Sequence, residues 1–248
     1  MQVLAAAAVA LLIGASTVVA VRLLMLHKRT GAGPELLLGW MLLLSVGVAY
    51  PLRIAADRGS PEWSGACLAV SAIAIGVGFS LLFVFTWRVF RPQAIWARVF
   101  AAAGVITVLG KALHGCVRVY RLGAIDVMDE PSAEILLQTA PLLVAYLWTA
   151  CESLRYYGMM RRRVKLGLAD VAVTDRFLLW GGMALSATGG VSVNTFAILL
   201  HMDALNSPPV LLVSSTFGLA QTVFLVLAFL PPRFYLNWIR ARGAAPGA

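Results

Sequence analysis

Seven long apolar runs constrain the fold of this chain more than any other feature. They lie near residues 2–26, 35–55, 63–87, 94–117, 134–157, 177–200 and 209–230. Each has about the 20 residues that an α-helix needs to cross the hydrocarbon core of a bilayer. None alternates between apolar and polar residues as barrel strands do, and backbone in lipid must satisfy its own hydrogen bonds. The sequence therefore predicts an all-α integral membrane protein, with one seven-helix transmembrane domain over residues 1–248.

Composition and proline positions support this count. Hydrophobic residues make up 60% of the chain and charged residues 12%, which is far from the balance of a soluble protein. Prolines stand at or just before the start of five runs: Pro34, Pro61, Pro92, Pro131 and Pro208. At these positions proline removes no hydrogen bond that the helix needs. The first run has no basic segment before it and is longer than a signal-peptide core, so we expect a retained helix rather than a cleaved signal peptide.

The basic residues predict the orientation of the helices. Short cytoplasmic loops of membrane proteins are enriched in Lys and Arg. If the N-terminus lies outside, 15 of the 20 Lys and Arg residues fall on the cytoplasmic side, and seven of the 11 acidic residues fall outside. We therefore predict an external N-terminus and a cytoplasmic C-terminus. The net charge of +9 then reflects this asymmetry and not a nucleic-acid surface. The Ala-, Arg- and Gly-rich composition with short loops favours a bacterial inner membrane.

Two basic segments lie on the predicted cytoplasmic side. The cluster "RRRVK" is interpreted as a topology anchor near anionic lipid, and a docking surface for a cytoplasmic partner is the alternative. Its basic residues are Arg161, Arg162, Arg163 and Lys165. After two prolines, "RFYLNWIRAR" at 233–242 mixes aromatic and basic residues, which predicts a short C-terminal helix lying on the membrane.

A polar stripe runs along the outer part of the fourth predicted helix. Gly104, Thr107, Lys111, His114 and Arg118 recur every three or four residues, so they share one helical face. Ionisable groups in a membrane span are costly and indicate function by default. We expect this stripe to face the interior of the bundle.

The start of the fifth helix carries polar groups at the same predicted depth. Glu134 and Gln138 are four residues apart on one face, and the preceding loop contains Asp126, Asp129 and Glu130. One interpretation is an outer cluster of ion pairs, in which the cations of the stripe also reach the lipid headgroups.

The other interpretation is an outward-facing pocket for a small anionic or polar ligand, in which a histidine can change charge near neutral pH. Helices six and seven add further polar groups across the bundle, although Ser and Thr in spans often serve helix packing. The candidate ligand-binding residues are Lys111, His114, Arg118, Glu134, Gln138 and Asn194.

Toward the predicted cytoplasmic side, Glu152 and Arg155 are three residues apart in helix five. This spacing predicts an inner polar pair, because side chains three apart meet on a helix. An inner gate or a proton-handling carboxylate is the alternative. Near the outer end of helix two, we expect Arg53 to pair with Asp57 or Glu62.

Cysteine and histidine patterns predict neither a metal site nor a cofactor. The three cysteines form no C-x-x-C motif. Cys67 and Cys116 fall near the outer ends of helices three and four, where a disulfide is an alternative to two buried thiols. The histidines form no H-E-x-x-H motif, and an outer site from His114, His201 and Asp203 has only a weak zinc pattern.

Two functional classes remain open on the sequence. Seven helices, an external N-terminus and a basic third cytoplasmic loop favour a sensor or binding protein of receptor-like topology. Polar helix faces are also typical of a small-solute transporter or ion channel, although no inverted repeat is visible. An enzyme is the third class, because the chain shows no recognisable set of nucleophile, base and metal ligands. Retinal binding is excluded, since no lysine lies in the last span. The predicted partners are membrane lipid, a small ligand and a cytoplasmic partner at the basic cluster.

Overall fold

Every regular element in the computed structural model is a helix within the residues that it describes, which are 2–59, 61–122, 132–202 and 207–244. The helices are α1 (Gln2–Thr30), α2 (Gly33–Leu42), α3 (Ala49–Arg58), α4 (Pro61–Phe90), α5 (Ile95–Leu122), α6 (Ser132–Lys165), α7 (Val171–Leu199), α8 (Pro208–Phe229) and α9 (Arg233–Ala244). A π-helical turn, Leu43–Val48, joins α2 to α3.

Seven helical segments in the described part of the chain are long and apolar enough to cross a membrane, and α2 and α3 together form the second of them. This confirms the predicted all-helical class and the number of candidate spans, and it is compatible with an integral multi-pass membrane protein. The predicted C-terminal helix after the two prolines is also present, as α9.

The helix ends follow local capping rules. Asp170 precedes α7, and its carboxylate Oδ1 accepts hydrogen bonds from the backbone N–H groups of Ala172 at 2.6 Å and Val173 at 3.2 Å, as an N-cap should. Pro208 starts α8, where its fixed φ suits the first turn. The helix α6 continues past the predicted boundary at 157 to Lys165. The basic cluster predicted as a loop therefore lies on the last turns of a helix.

The helices pack in chain order and close into a ring. Consecutive spans lie side by side, and α1 also packs against α8. The exception is α5, which packs mainly on α4, while α6 contacts α4 directly as well as α5. The buried core contains large side chains from α4, α6 and α7, among them Phe83, Tyr146, Trp180 and Met183.

Glycine allows two of these helix contacts to be close. A methyl group on Gly76 of α4 would stand 2.7 Å from the Cβ atom of Ala112 on α5, and one on Gly189 of α7 would stand 2.4 Å from the ring of Phe217 on α8. No side chain fits at either point without displacement of a neighbour. The glycines of "GGMALSATGGVSV" on α7 thus allow a close helix contact at Gly189.

The polar stripe of α5 faces the bundle interior only in part. Gly104 lies against the buried ring of Phe83, and Lys111 is partly buried. The buried side of α5 consists of Ala97, Ala101, Val108 and Ala112 among others, and it packs on α4. Thr107 and His114 are exposed. The apolar side of α5 takes the interior position because it buries more hydrophobic surface, and the stripe is left along the side next to α6.

Two ends of the bundle are named below by their carboxylates. The Glu134 end is where α5 ends and α6 begins, and it is the end predicted to lie outside. The Glu152 end is where α4 ends and α5 begins.

Candidate ligand site at the Glu134 end

One carboxylate joins α5 to α6 at the Glu134 end. Glu134, in the first turn of α6, accepts a hydrogen bond at Oε1 from Nη1 of Arg118, and the same oxygen lies 3.2 Å from Nε2 of His114. Both partners reach one acceptor because they are four residues apart on the same face of α5. The side chains of Arg118 and Glu134 are mostly covered, whereas that of His114 is 57% exposed. The bridge therefore lies at the rim, with the imidazole open to the surroundings.

Lys111 lies about one helical turn deeper than this bridge. Its side chain is partly buried, and within the described ranges it has no hydrogen bond or ion pair. Its ammonium group is instead within electrostatic range of another cation, the guanidinium of Arg53 on α3. The expected pairing of Lys111 with Glu134 is therefore absent from the described residues.

Arg53 lies within electrostatic range of Lys111, a proximity that the sequence did not predict. It was expected to pair with Asp57 or Glu62, and the described part of the chain shows neither ion pair. Arg53 is exposed on α3. The available signal was an arginine inside the second apolar segment at the depth of Lys111, since such a group in a span indicates function by default.

The remaining predicted site residues are distributed more widely. Gln138 lies on α6, one turn after Glu134. Asn194, on α7, donates from Nδ2 to the carbonyl oxygen of Gly190 at 3.1 Å and accepts at Oδ1 from Ser214 Oγ of α8 at 3.2 Å. The structure thus brings His114, Arg118 and Glu134 together, while Asn194 links α7 to α8. The predicted loop partners Asp126, Asp129 and Glu130, and the predicted ligand Asp203, lie outside the described residues.

At the Glu152 end, the predicted pair of Glu152 and Arg155 is replaced by another. Arg91, in the turn between α4 and α5, donates from Nε to both carboxylate oxygens of Glu152, at 2.8 and 2.9 Å. Its guanidinium also lies 5.6 Å from the ring centroid of Trp96. Arg155 is exposed on α6. Spacing along one helix could not reveal Arg91, because its approach to α6 depends on how the α4–α5 turn packs.

Hydroxyl groups strengthen the packing around this ion pair. Thr86 of α4 and Thr149 of α6 are fully buried, and their hydroxyl oxygens are 2.8 Å apart. Ser153 donates to the backbone carbonyl oxygen of Phe177 on α7 at 2.8 Å. The polar groups of α6 near Glu152 therefore have partners on α4 and α7, which is typical of a structural cluster.

Cys67 and Cys116 are free thiols. Gly65 and Ala69 lie on the side of α4 that faces α5. Gly65 lies opposite Val119, and the carbonyl oxygen of Ala69 accepts a hydrogen bond from Cys116 Sγ at 3.5 Å. Cys67 lies midway between Gly65 and Ala69, about 200° around the helix from each. It therefore points away from α5, and the alternative of a disulfide is not realised.

The C-terminal helix α9 is attached to α7 by a hydrogen bond. The hydroxyl group of Tyr235 donates to Asp175 Oδ2 at 2.5 Å, and Ile239 is buried on the same helix. Burial raises the pKa of Tyr235 above its ordinary value, and the hydrogen bond to Asp175 and the charge of this carboxylate add to the rise.

Within the part of the chain that the structure describes, no three or more His, Cys, Asp or Glu side chains are grouped so that they could hold a metal ion. Comparisons of the chain with protein-family models, with curated proteins and with solved structures gave no match.

Proposed function

We propose that this protein is a membrane sensor or binding protein of receptor-like topology, which binds a small anionic or polar ligand at the Glu134 end. The observation that supports this proposal most is the environment of the Lys111 side chain. A partly buried ammonium group within electrostatic range of Arg53, with no carboxylate contact among the described residues, is unfavourable until an anion reaches it. A phosphate or carboxylate group on a ligand would supply that charge.

The neighbouring bridge gives the proposed site its second part. Glu134 holds Arg118 and His114 on one side of α5, and the exposed imidazole offers a ligand a hydrogen-bonding group at the rim. In this proposal Lys111 binds the anionic group, Arg118 and His114 orient the rest of the ligand, and Gln138 extends the polar lining along α6. Asn194 contributes only if the ligand reaches α7.

We also propose how the protein is oriented in the membrane and which surface contacts a cytoplasmic partner. We place the protein in the inner membrane of a bacterium, with the Glu134 end outside and α9 in the cytoplasm. This orientation rests on the charge distribution of the sequence. The exposed basic residues in the last turns of α6 then face the cytoplasm, where they suit a partner protein or anionic headgroups. They are Arg161, Arg162, Arg163 and Lys165.

The test measures ligand-dependent stability of the purified protein in a neutral detergent. Inorganic phosphate and succinate serve as anionic probes, and glycerol serves as the uncharged control. We expect at least one anion to raise the melting temperature of the wild type and of Lys165→Met, a matched loss of an exposed lysine. Lys111→Met should lose this increase. An undiminished increase in Lys111→Met would show that the anion binds elsewhere.

A small-solute transporter or channel is the second candidate, supported by the π-helical turn Leu43–Val48 inside the second span. Interrupted helices are common where transporters bind their substrates, and π-helical turns are frequent at functional sites. Liposomes containing the purified protein separate the candidates. Uptake of labelled phosphate or succinate that Lys111→Met abolishes would favour the transporter, whereas binding without uptake would favour the sensor.

A further inference from the structure

Two arginines at the Glu152 end share one indole ring. Arg88, at the end of α4, and Arg98, in the second turn of α5, each place the guanidinium carbon 5.9 Å from the ring centroid of Trp87. Both arginines are exposed. A cation–π contact orients a guanidinium without neutralising its charge, so both positive charges remain next to one indole ring.

No carboxylate compensates these charges in the described residues. Neither Arg88 nor Arg98 has an ion pair there, and the sequence contains no Asp or Glu between Glu62 and Asp126. Four carboxylates lie at this end, and in the described residues none of them pairs with Arg88 or Arg98. Glu152 is bound to Arg91, Asp170 caps α7 and Asp175 accepts from Tyr235, and Glu35 is on α2. The Trp87 cluster, defined as Arg88, Arg98 and Trp87, therefore attracts an anion from outside the chain.

An apolar surface begins directly beside the Trp87 cluster. On α5, the side chains of Ile95, Val99 and Ile106 are 80%, 62% and 72% exposed. They are four and seven positions apart, so they form one row along the helix, within about 100° of Arg98 around its axis. The surface continues from the two cations toward the middle of the span.

Two cations next to an apolar surface that runs along the helix axis match the charged headgroup and the acyl chains of a phospholipid. The guanidinium groups suit a phosphate, since their planar donors match its oxygens. The row of exposed apolar side chains on α5 suits an acyl chain. A free phosphate ion would use only the first part of this surface, and a neutral lipid only the second.

We propose that the Trp87 cluster and the apolar row of Ile95, Val99 and Ile106 form a binding site for an anionic phospholipid. The headgroup phosphate lies between Arg88 and Arg98, and one acyl chain lies along α5. This site is separate from the ligand site proposed at the Glu134 end and does not depend on it.

Native mass spectrometry of the protein in a neutral detergent tests the site. The probes are phosphatidylglycerol, phosphatidylcholine with the same acyl chains, and inorganic phosphate. We expect phosphatidylglycerol to bind the wild type more tightly than phosphatidylcholine, and inorganic phosphate to compete only weakly. Each arginine changed to glutamine, as in R88Q and R98Q, should weaken phosphatidylglycerol binding about fivefold, the effect expected for one basic residue at an anionic lipid surface.

A matched control is Arg121→Gln, which removes an exposed arginine from the last turn of the same helix. This variant should bind phosphatidylglycerol as the wild type does. Equal weakening by R121Q, or equal binding of both lipids, would overturn the proposal. Tight competition by inorganic phosphate would reassign the cluster to a free anion. If the double variant R88Q/R98Q unfolds without lipid, the phosphatidylglycerol affinities of R98Q and of the charge-preserving Arg98→Lys are compared instead. Only R98Q should then lose affinity.

Discussion

Glu134 and Glu152 differ in burial, and their substitution should therefore differ in cost. The side chain of Glu152 is 8% exposed and that of Glu134 is 25% exposed. Removing one partner of a buried ion pair costs about 3–5 kcal/mol, because the other charge is left unpaired. A partly exposed pair contributes about 1 kcal/mol or less.

We predict that Glu152→Gln lowers the melting temperature in detergent more than Glu134→Gln does. Each kcal/mol corresponds to about 2–4 °C for a chain of this length. Glu62→Gln, at an exposed position, is the control and should change little. A double variant, Glu152→Gln with Arg91→Gln, should lose less stability than the two single losses combined, since neither partner is then left charged alone. Additive losses would mean that the two groups do not interact.

The raised pKa of Tyr235 predicts a dependence of stability on alkaline pH. Its causes are burial and then the hydrogen bond to Asp175. The folded state holds the phenol proton more tightly than the unfolded state, so this contribution is complete below the ordinary tyrosine pKa of about 10 and is lost as the pH rises beyond it.

Tyr235→Phe removes this titration along with the hydrogen bond. We expect the melting temperature of the wild type to fall more steeply above about pH 10 than that of Tyr235→Phe. The difference in tyrosinate absorbance between the two proteins gives the titration of Tyr235 directly. A difference spectrum that titrates at the ordinary tyrosine pKa would show that the phenol is not held by Asp175 in solution.

At the scale of helices, the contact of α4 with α5 depends on the absence of a side chain at Gly76. Its missing Cβ would lie 2.7 Å from the Cβ atom of Ala112 and 3.3 Å from the carbonyl oxygen of Val108. Because a backbone atom cannot move aside as a flexible side chain does, Gly76→Ala must separate the two helices. Overpacking of this kind costs about 1–3 kcal/mol.

We predict that Gly76→Ala lowers the melting temperature while Gly110→Ala leaves it unchanged or raises it. Gly110 is on α5 and has nothing within 4 Å of its missing Cβ, and alanine stabilises a helix relative to glycine by about 1 kcal/mol. The same thermal measurement serves both variants. If Gly76→Ala were as stable as the wild type, α4 and α5 would not approach as closely as the structure shows.

The sequence predicted the number of helices well because the length of an apolar run is a local property. It predicted helix ends less well, as at α6, where the helix continues through "RRRVK" to Lys165. Once the hydrophobic signal stops, only weak propensities indicate whether a helix continues. Which side of a helix faces its neighbours is not local either. The stripe of α5 that contains Lys111 shares one face, as predicted, but that face lies along the flank next to α6 and only partly in the interior.

At the scale of the whole molecule, the candidate site combines local and long-range information. The sequence placed His114, Arg118 and Glu134 at one depth because their helices are consecutive and antiparallel. It did not identify Arg53 as a neighbour of Lys111, since α3 and α5 are separated in the chain by all of α4. The sequence did not identify Arg91 as the partner of Glu152 for the same reason. In each case the missing information was the packing of elements that are not adjacent in sequence.

The predicted orientation of the bundle rests on the distribution of basic residues along the sequence, and it can be tested on the intact chain. We predict that a reporter enzyme fused after the last residue is active only in the cytoplasm, and that one fused before the first residue is active only outside. The basic residues at the end of α6 should hold this orientation, because basic residues near span ends are retained in the cytoplasm. Changing Arg161, Arg162 and Arg163 to Gln should therefore raise the fraction of inverted chains. The matched control, Arg53, Arg58 and Arg121 changed to Gln, removes the same charge from the opposite end and should leave the orientation unchanged. A cytoplasmic N-terminal reporter in the wild type would place Lys111 and His114 inside the cell, and their ligand would then be a cytoplasmic anion.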